Sequence, residues 1–109
     1  MISTGESGIN PISREEYFKE CLPDVITGIF CTYFGVPEPK LKENPTPTNG
    51  HWRGMYFHKT EIISYNMPYV GIIMHELAHH IVRKLGKNGS GHHNPQFWDI
   101  LQQMHDYWR

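Results

Sequence analysis

Cysteine is scarce in this chain. Only Cys21 and Cys31 occur, ten residues apart in a segment that reads as helical. Helical rise would separate them by roughly 15 Å, too far for a disulfide. Two buried thiols in a reducing compartment is the reading that follows. Long hydrophobic runs are also missing. No apolar stretch approaches the roughly 20 residues needed to span a bilayer. The opening MISTGESGINP has neither the basic start nor the apolar run of a signal peptide. A cytoplasmic location with no membrane segment is therefore expected. An excess of charge of one sign is absent too. Ten Lys and Arg stand against 11 Asp and Glu, for a formal net charge of -1. That balance lacks the basic footprint of a nucleic-acid binder. The length of 109 residues suits one modest core. A domain this small often gains from a cross-link or a bound metal.

The pattern along the chain predicts an α+β domain over 13–109, preceded by a flexible Ser-, Gly- and Asn-rich segment at 1–12. Ser13-Arg14-Glu15-Glu16 reads as a capping box. A kinked or two-part helix should follow from about 14 to 34, through Tyr17, Phe18 and Cys21, with Pro23 in the first turn of its second part. Val25, Ile29 and Cys31 to Tyr33 are its expected core side, and Gly35 its stop. Prolines 37, 39, 45, 47 and 68 then favour extended segments and loops. A short strand is expected at 40–43. Two hairpin strands are expected at 52–58 and 61–65, so the sheet should be short and mostly antiparallel.

Pro68 opens the next helix. Val70, Met74, Leu77, Ile81 and Leu85 form one narrow apolar stripe along it, and Gly86 is the natural stop. After the loop KNGSG, Asn94-Pro95 marks the start of a final helix. Phe97, Ile100, Leu101, Met104 and Trp108 make its apolar face.

Histidine is what the chain has in quantity. Five of its eight histidines lie between residues 71 and 98. His75-Glu76-Leu77-Ala78-His79 is HExxH. The i, i+4 spacing puts His75 and His79 on one helix face, where both can bind one ion. Their midpoint lies about 140° around the helix from the centre of the apolar stripe, so the histidines can face a cleft while the stripe faces the core. Glu76 lies about 80° from that midpoint. That suits a base beside the metal better than a ligand.

A catalytic zinc usually takes three protein ligands and keeps one open position. His80 points about 100° away from His79 and cannot easily close the same site; it reads as a surface group or one just outside the ligands. His51, His58 and His105 read as ordinary surface or strand residues. The glycine-rich reversal after Gly86 lets the chain return within reach, leaving His92 and His93 open as the third ligand. His93 is favoured because it abuts the Asn94 cap.

HELAHH, a Gly-rich loop and then HNPQFW resemble the SprT-like (Spartan-type) and WLM-type zinc metallopeptidases, small zincins of minigluzincin character. The resemblance covers roughly residues 50 to 104. It implies a zincin-like domain and His93, four residues before Phe97, as the third ligand. It also implies Zn2+ on His75, His79 and His93, with Glu76 as general base in peptide-bond hydrolysis. The chain has no paired cysteines after the site, so the DNA-repair role of some members does not transfer. The expected partner is a protein or peptide substrate, paired with an open strand edge near 52–65. His92, Tyr65 and Tyr69 are candidates to stabilise the oxyanion. Trp98 reads as packing. Two other readings stand beside this one. One is an ImmA/IrrE-like regulatory peptidase, whose third ligand is placed differently. The other is a non-catalytic module in which zinc clamps the last two helices.

Overall fold

The computed structural model describes residues 13–44, 54–86 and 93–108. The expected flexible segment at 1–12 and the loops at 45–50 and 87–91 lie outside these, as do His51, Trp52 and His92. Among the described residues the chain is α+β. Its elements are α1 (Arg14–Tyr17), α2 (Pro23–Phe34), β1 (Lys40–Glu43), β2 (Gly54–Phe57), β3 (Ile62–Tyr65), α3 (Val70–Lys84) and α4 (Pro95–Trp108).

The first helix begins as its cap requires: the Ser13 hydroxyl accepts from the Glu16 amide at 3.1 Å. It does not continue through Cys21. The Cys21 amide donates to the Pro68 carbonyl at 2.9 Å, and the Lys19 carbonyl accepts from the Val70 amide at 2.8 Å. These backbone groups tie the chain to the start of α3 instead of to a helix of their own. Leu22 is extended, as a residue before proline must be, and Pro23 starts α2. The two cysteines therefore do not share a helix, although both are free thiols. The inward face of α2 is Ile26, Thr27, Phe30 and Cys31. Val25 and Tyr33, expected in the core, are 45 % and 55 % exposed. They lie on rows beside the stripe set by Ile26 and Phe30, four apart. Gly35 ends the helix at φ 70°, a conformation that disfavours any side chain.

The sheet is mixed, in the order β1-β3-β2. The β2–β3 hairpin is antiparallel, with Tyr56 opposite Ile63. Its turn is closed by the Glu61 amide on the Phe57 carbonyl at 2.7 Å, with Glu61 at φ 56°. β1 lies on the other side of β3 and runs parallel to it, because the chain returns to it only after passing through β2.

α3 is the central element, packed against α1, α2, α4, β2 and β3. The expected stripe is buried through Val70, Met74, Leu77 and Ile81, with Leu85 partly so. Ile72, Ile73, Ala78 and Val82 are buried as well. The stripe was thus only part of the buried surface, since helices cover one side of α3 and the sheet another. α4 begins at Asn94, whose side-chain oxygen accepts from the Phe97 amide at 2.9 Å. Phe97, Ile100, Leu101 and Met104 are buried, each burial contributing roughly 1.5–3 kcal/mol. Trp108 is 38 % exposed and lies beside Phe30 at the rim of the core. Among the described residues no helix is long and apolar enough to cross a membrane.

Candidate metal centre

α3 and the start of α4 bring His75, His79 and His93 together. One ring nitrogen from each lies within 4.8 Å of the others. His75 Nε2 and His93 Nε2 are 3.2 Å apart. Two nitrogens bound to one tetrahedral zinc at 2.0–2.1 Å would be about 3.3 Å apart. That pair therefore already has the spacing of one edge of a zinc tetrahedron. The remaining separations lie within a small swing of the side chains. The donor set is also of the right kind: borderline-soft imidazole nitrogen suits zinc.

The rings rest on a common floor. Phe97, fully buried, meets His79 face to face at 4.4 Å between centroids. It also meets His75 at 5.0 Å and His93 at 4.9 Å edge-on. Phe97 thus does more than fill the core. Its place is set by the Asn94 cap, so the same turn that starts α4 holds both the floor and His93. Trp98 adds a pin: its indole N–H donates to the His93 carbonyl at 3.1 Å. Its ring lies against His93 and Phe97.

Burial holds His75 neutral, with its pKa lowered to about 4, and the proximity of His93 adds to that. A neutral imidazole keeps the lone pair that a metal needs. Glu76 is buried on the adjacent face of α3 and its carboxyl is pushed up to about 7, again by burial. A hydrogen bond from the Tyr56 backbone partly offsets this. A carboxyl that titrates near neutrality is suited to both taking and giving a proton.

β2 reaches Glu76 because residue 54 is glycine. A Cβ there would lie 2.6 Å from Ile72 Cγ2 and 2.9 Å from Glu76 Cγ. Glycine inside a strand is a signal of close backbone approach that the sequence did offer. Tyr17 is a second unanticipated neighbour. Its ring occupies the space above Gly71, where a Cβ would meet it at 2.0 Å. Burial raises its hydroxyl pKa, and the charge of Glu76 does so further.

His80 is not a surface residue. It is fully buried, and both its ring nitrogens are engaged. Nε2 lies 2.7 Å from the Pro37 carbonyl and Nδ1 lies 2.8 Å from the Tyr56 hydroxyl. A carbonyl can only accept, so Nε2 carries the proton and Nδ1 accepts from Tyr56. Burial lowers the pKa of His80, which matches this neutral form. His80 is thus unavailable to the metal. His105 is also buried, at 2 % exposure, rather than on the surface. His58 is exposed in the hairpin turn, as expected. Of the oxyanion candidates, Tyr69 packs its ring edge-on against Phe18, and Tyr65 is half-buried on β3.

Compared with protein-family models, curated proteins and solved structures, the chain matches none. The likeness to the SprT-like and WLM-type peptidases therefore rests on the motif residues alone.

Proposed function

We propose that this chain is a zinc-dependent peptidase of the SprT-like kind, acting in the cytoplasm on a protein or peptide substrate. The observation that carries the reading is the meeting of three imidazoles from two elements with a buried carboxylate beside them. His75, His79 and His93 would hold the ion, and no fourth His, Cys, Asp or Glu groups with them among the described residues. Zinc so held would supply Lewis acidity, activating water and polarising the scissile carbonyl.

The chain's own contribution is then proton handling and exclusion of water. Glu76 takes the proton of the attacking water as the new C–O bond forms. It passes that proton to the nitrogen as the C–N bond breaks, so the amine leaves neutral. The low dielectric around Glu76 strengthens both transfers. His93 is held next to the Asn94 cap, with the Trp98 indole N–H on its carbonyl. β2, an edge strand among the described residues, remains the candidate rail for an extended substrate. Its Tyr56 amide is excluded from that role, because Glu76 already takes it.

Two rival readings separate cleanly. A structural zinc clamp would have a closed fourth position and would be indifferent to Glu76. An ImmA/IrrE-like site would take its third ligand elsewhere than His93. The test is Glu76→Gln, assayed for zinc content and for cleavage of an unfolded protein substrate. The proposal expects full zinc and a fall in hydrolysis of about a hundredfold or more. Hydrolysis equal to the unaltered protein would reject Glu76 as the base and with it the mechanism.

A further inference from the structure

The seam between β2 and α3 does more than pack. Three contacts lie along it, none of which the metal ligands require. At Gly54 the strand backbone comes against Ile72 and Glu76, with no side chain between. At Tyr56 the backbone N–H donates to the Glu76 carboxylate. The Tyr56 side chain reaches the opposite way along the helix and donates its hydroxyl to His80 Nδ1 at 2.8 Å. His80 is in turn fixed by its Nε2 proton on the Pro37 carbonyl at 2.7 Å. One strand residue is therefore held by its backbone to Glu76 and by its side chain to His80, one helical turn further on.

We infer that His80 and the Tyr56 side chain are positioning residues that hold the edge amide of β2 against Glu76 and so fix where the carboxylate points. This deepens the peptidase reading and rests on it for its catalytic meaning, though the clamp itself exists without metal or substrate. A carboxylate has two oxygens and about four acceptor positions. An amide held on one oxygen stops rotation about the last side-chain bond and leaves the other oxygen for the proton. An unheld Glu76 would also sample orientations in which neither oxygen faces the imidazoles. His80 suits the task because its two nitrogens are committed in opposite directions. The ring spans from Pro37, which follows α2, to Tyr56 on β2, joining two segments that α3 alone would not bring into register. His80 also sits next to His79, so the same stretch of helix that presents a ligand sets the position of the base.

The experiment uses the metal-free protein first, where neither zinc nor hydrolysis enters. Exchange of the residue 56 amide is followed by NMR, with the core amides of Leu77 and Ile81 as internal reference. Tyr56→Phe keeps the ring and removes only the hydroxyl. It should accelerate exchange at residue 56 by about tenfold or more while the reference amides hold. His80→Asn places an amide group near the Nδ1 position, can accept from Tyr56, and should retain protection. His80→Gln reaches the Pro37 carbonyl but not Tyr56, and should lose protection as Tyr56→Phe does. Ring-nitrogen shifts of His80 should show a proton on Nε2 and none on Nδ1. Protection at residue 56 unchanged in Tyr56→Phe, or lost equally in both His80 variants, would overturn the inference. If a variant fails to fold, Tyr56→Phe alone decides, since it deletes one atom. In the zinc-loaded protein the same loss should lower kcat by about 10–100-fold with zinc content and KM held. A protein that keeps the clamp in these measurements but cleaves nothing would leave the inference standing and remove the peptidase reading instead.

Discussion

Adding one methyl group at residue 54 should damage this protein, and adding one at residue 28 should help it. In Gly54→Ala the new Cβ would lie 2.6 Å from Ile72 Cγ2, 2.9 Å from Glu76 Cγ and 3.4 Å from Glu76 Oε2. The first two distances are inside the contact limit of carbon atoms, and both neighbours sit on a helix buried on several sides. Neither can retreat far, so the strand must lift. Overpacking of this kind typically costs about 1–3 kcal/mol. At about 4–8 °C per kcal/mol for a domain near this size, the midpoint of thermal unfolding should fall by about 4–24 °C. Gly28 differs in setting and in space. It lies within α2, and the nearest atom to its added Cβ is Glu38 Oε2 at 3.9 Å, an ordinary contact. Alanine there should stabilise by about 0.5–1 kcal/mol, from helix propensity alone. Urea unfolding of the two variants beside the parent measures both signs. If Gly54→Ala is as stable as the parent, β2 does not lie on Glu76 and the close-approach argument fails.

Other outcomes follow from burial. Glu76→Gln should stabilise the metal-free protein by about 1–3 kcal/mol at pH 8. The sign comes from a carboxyl whose folded pKa of about 7 stands above its usual 4.5. The unfolded chain loses that proton first, so folding is penalised increasingly from pH 4.5 to 7. The gain in the variant should therefore vanish below about pH 4.5, as unfolding curves at pH 4 and 8 would show. The thiols of Cys21 and Cys31 are pushed up by burial to about 11 and 12. Iodoacetamide at pH 8 should leave both unmodified in the folded protein and alkylate both in denaturant, read by mass. Removal of zinc should lower the unfolding midpoint. Zinc at about a hundredfold its Kd adds about 2.7 kcal/mol, or about 10–20 °C, and a midpoint unmoved by chelator would argue against a native zinc site.

The legible parts of this molecule were local. Ser13, Pro23, Gly35 and Asn94 mark helix ends, because caps and stops depend on a few neighbouring residues. HExxH places His75 and His79 on one face for the same reason. His93 was favoured over His92 by its place beside the Asn94 cap and by the resemblance, and the structure brings it to the pair. What failed was set at long range. The first helix stops early because residues 19–21 bond to residues 68–70, nearly fifty positions away in sequence. The sequence left His80 between a surface group and one just outside the ligands, because its partners, Tyr56 and Pro37, lie 24 and 43 residues off. His105 and the full burial of α3 depend likewise on what packs around them. Gly54 is the case where a signal was present: a glycine within the expected strand at 52–58, with nothing nearby in sequence to need it.

The central claim is that two imidazoles from α3 and one from the residue before the α4 cap hold one ion. Titration of the metal-free protein with zinc, followed by calorimetry, tests it most directly. The account predicts one zinc per chain, with affinity falling by about tenfold or more when His75, His79 or His93 is replaced by Ala and unchanged in His58→Ala. Zinc bound as tightly by His93→Ala as by the parent, or no stoichiometric binding by the parent, would contradict it.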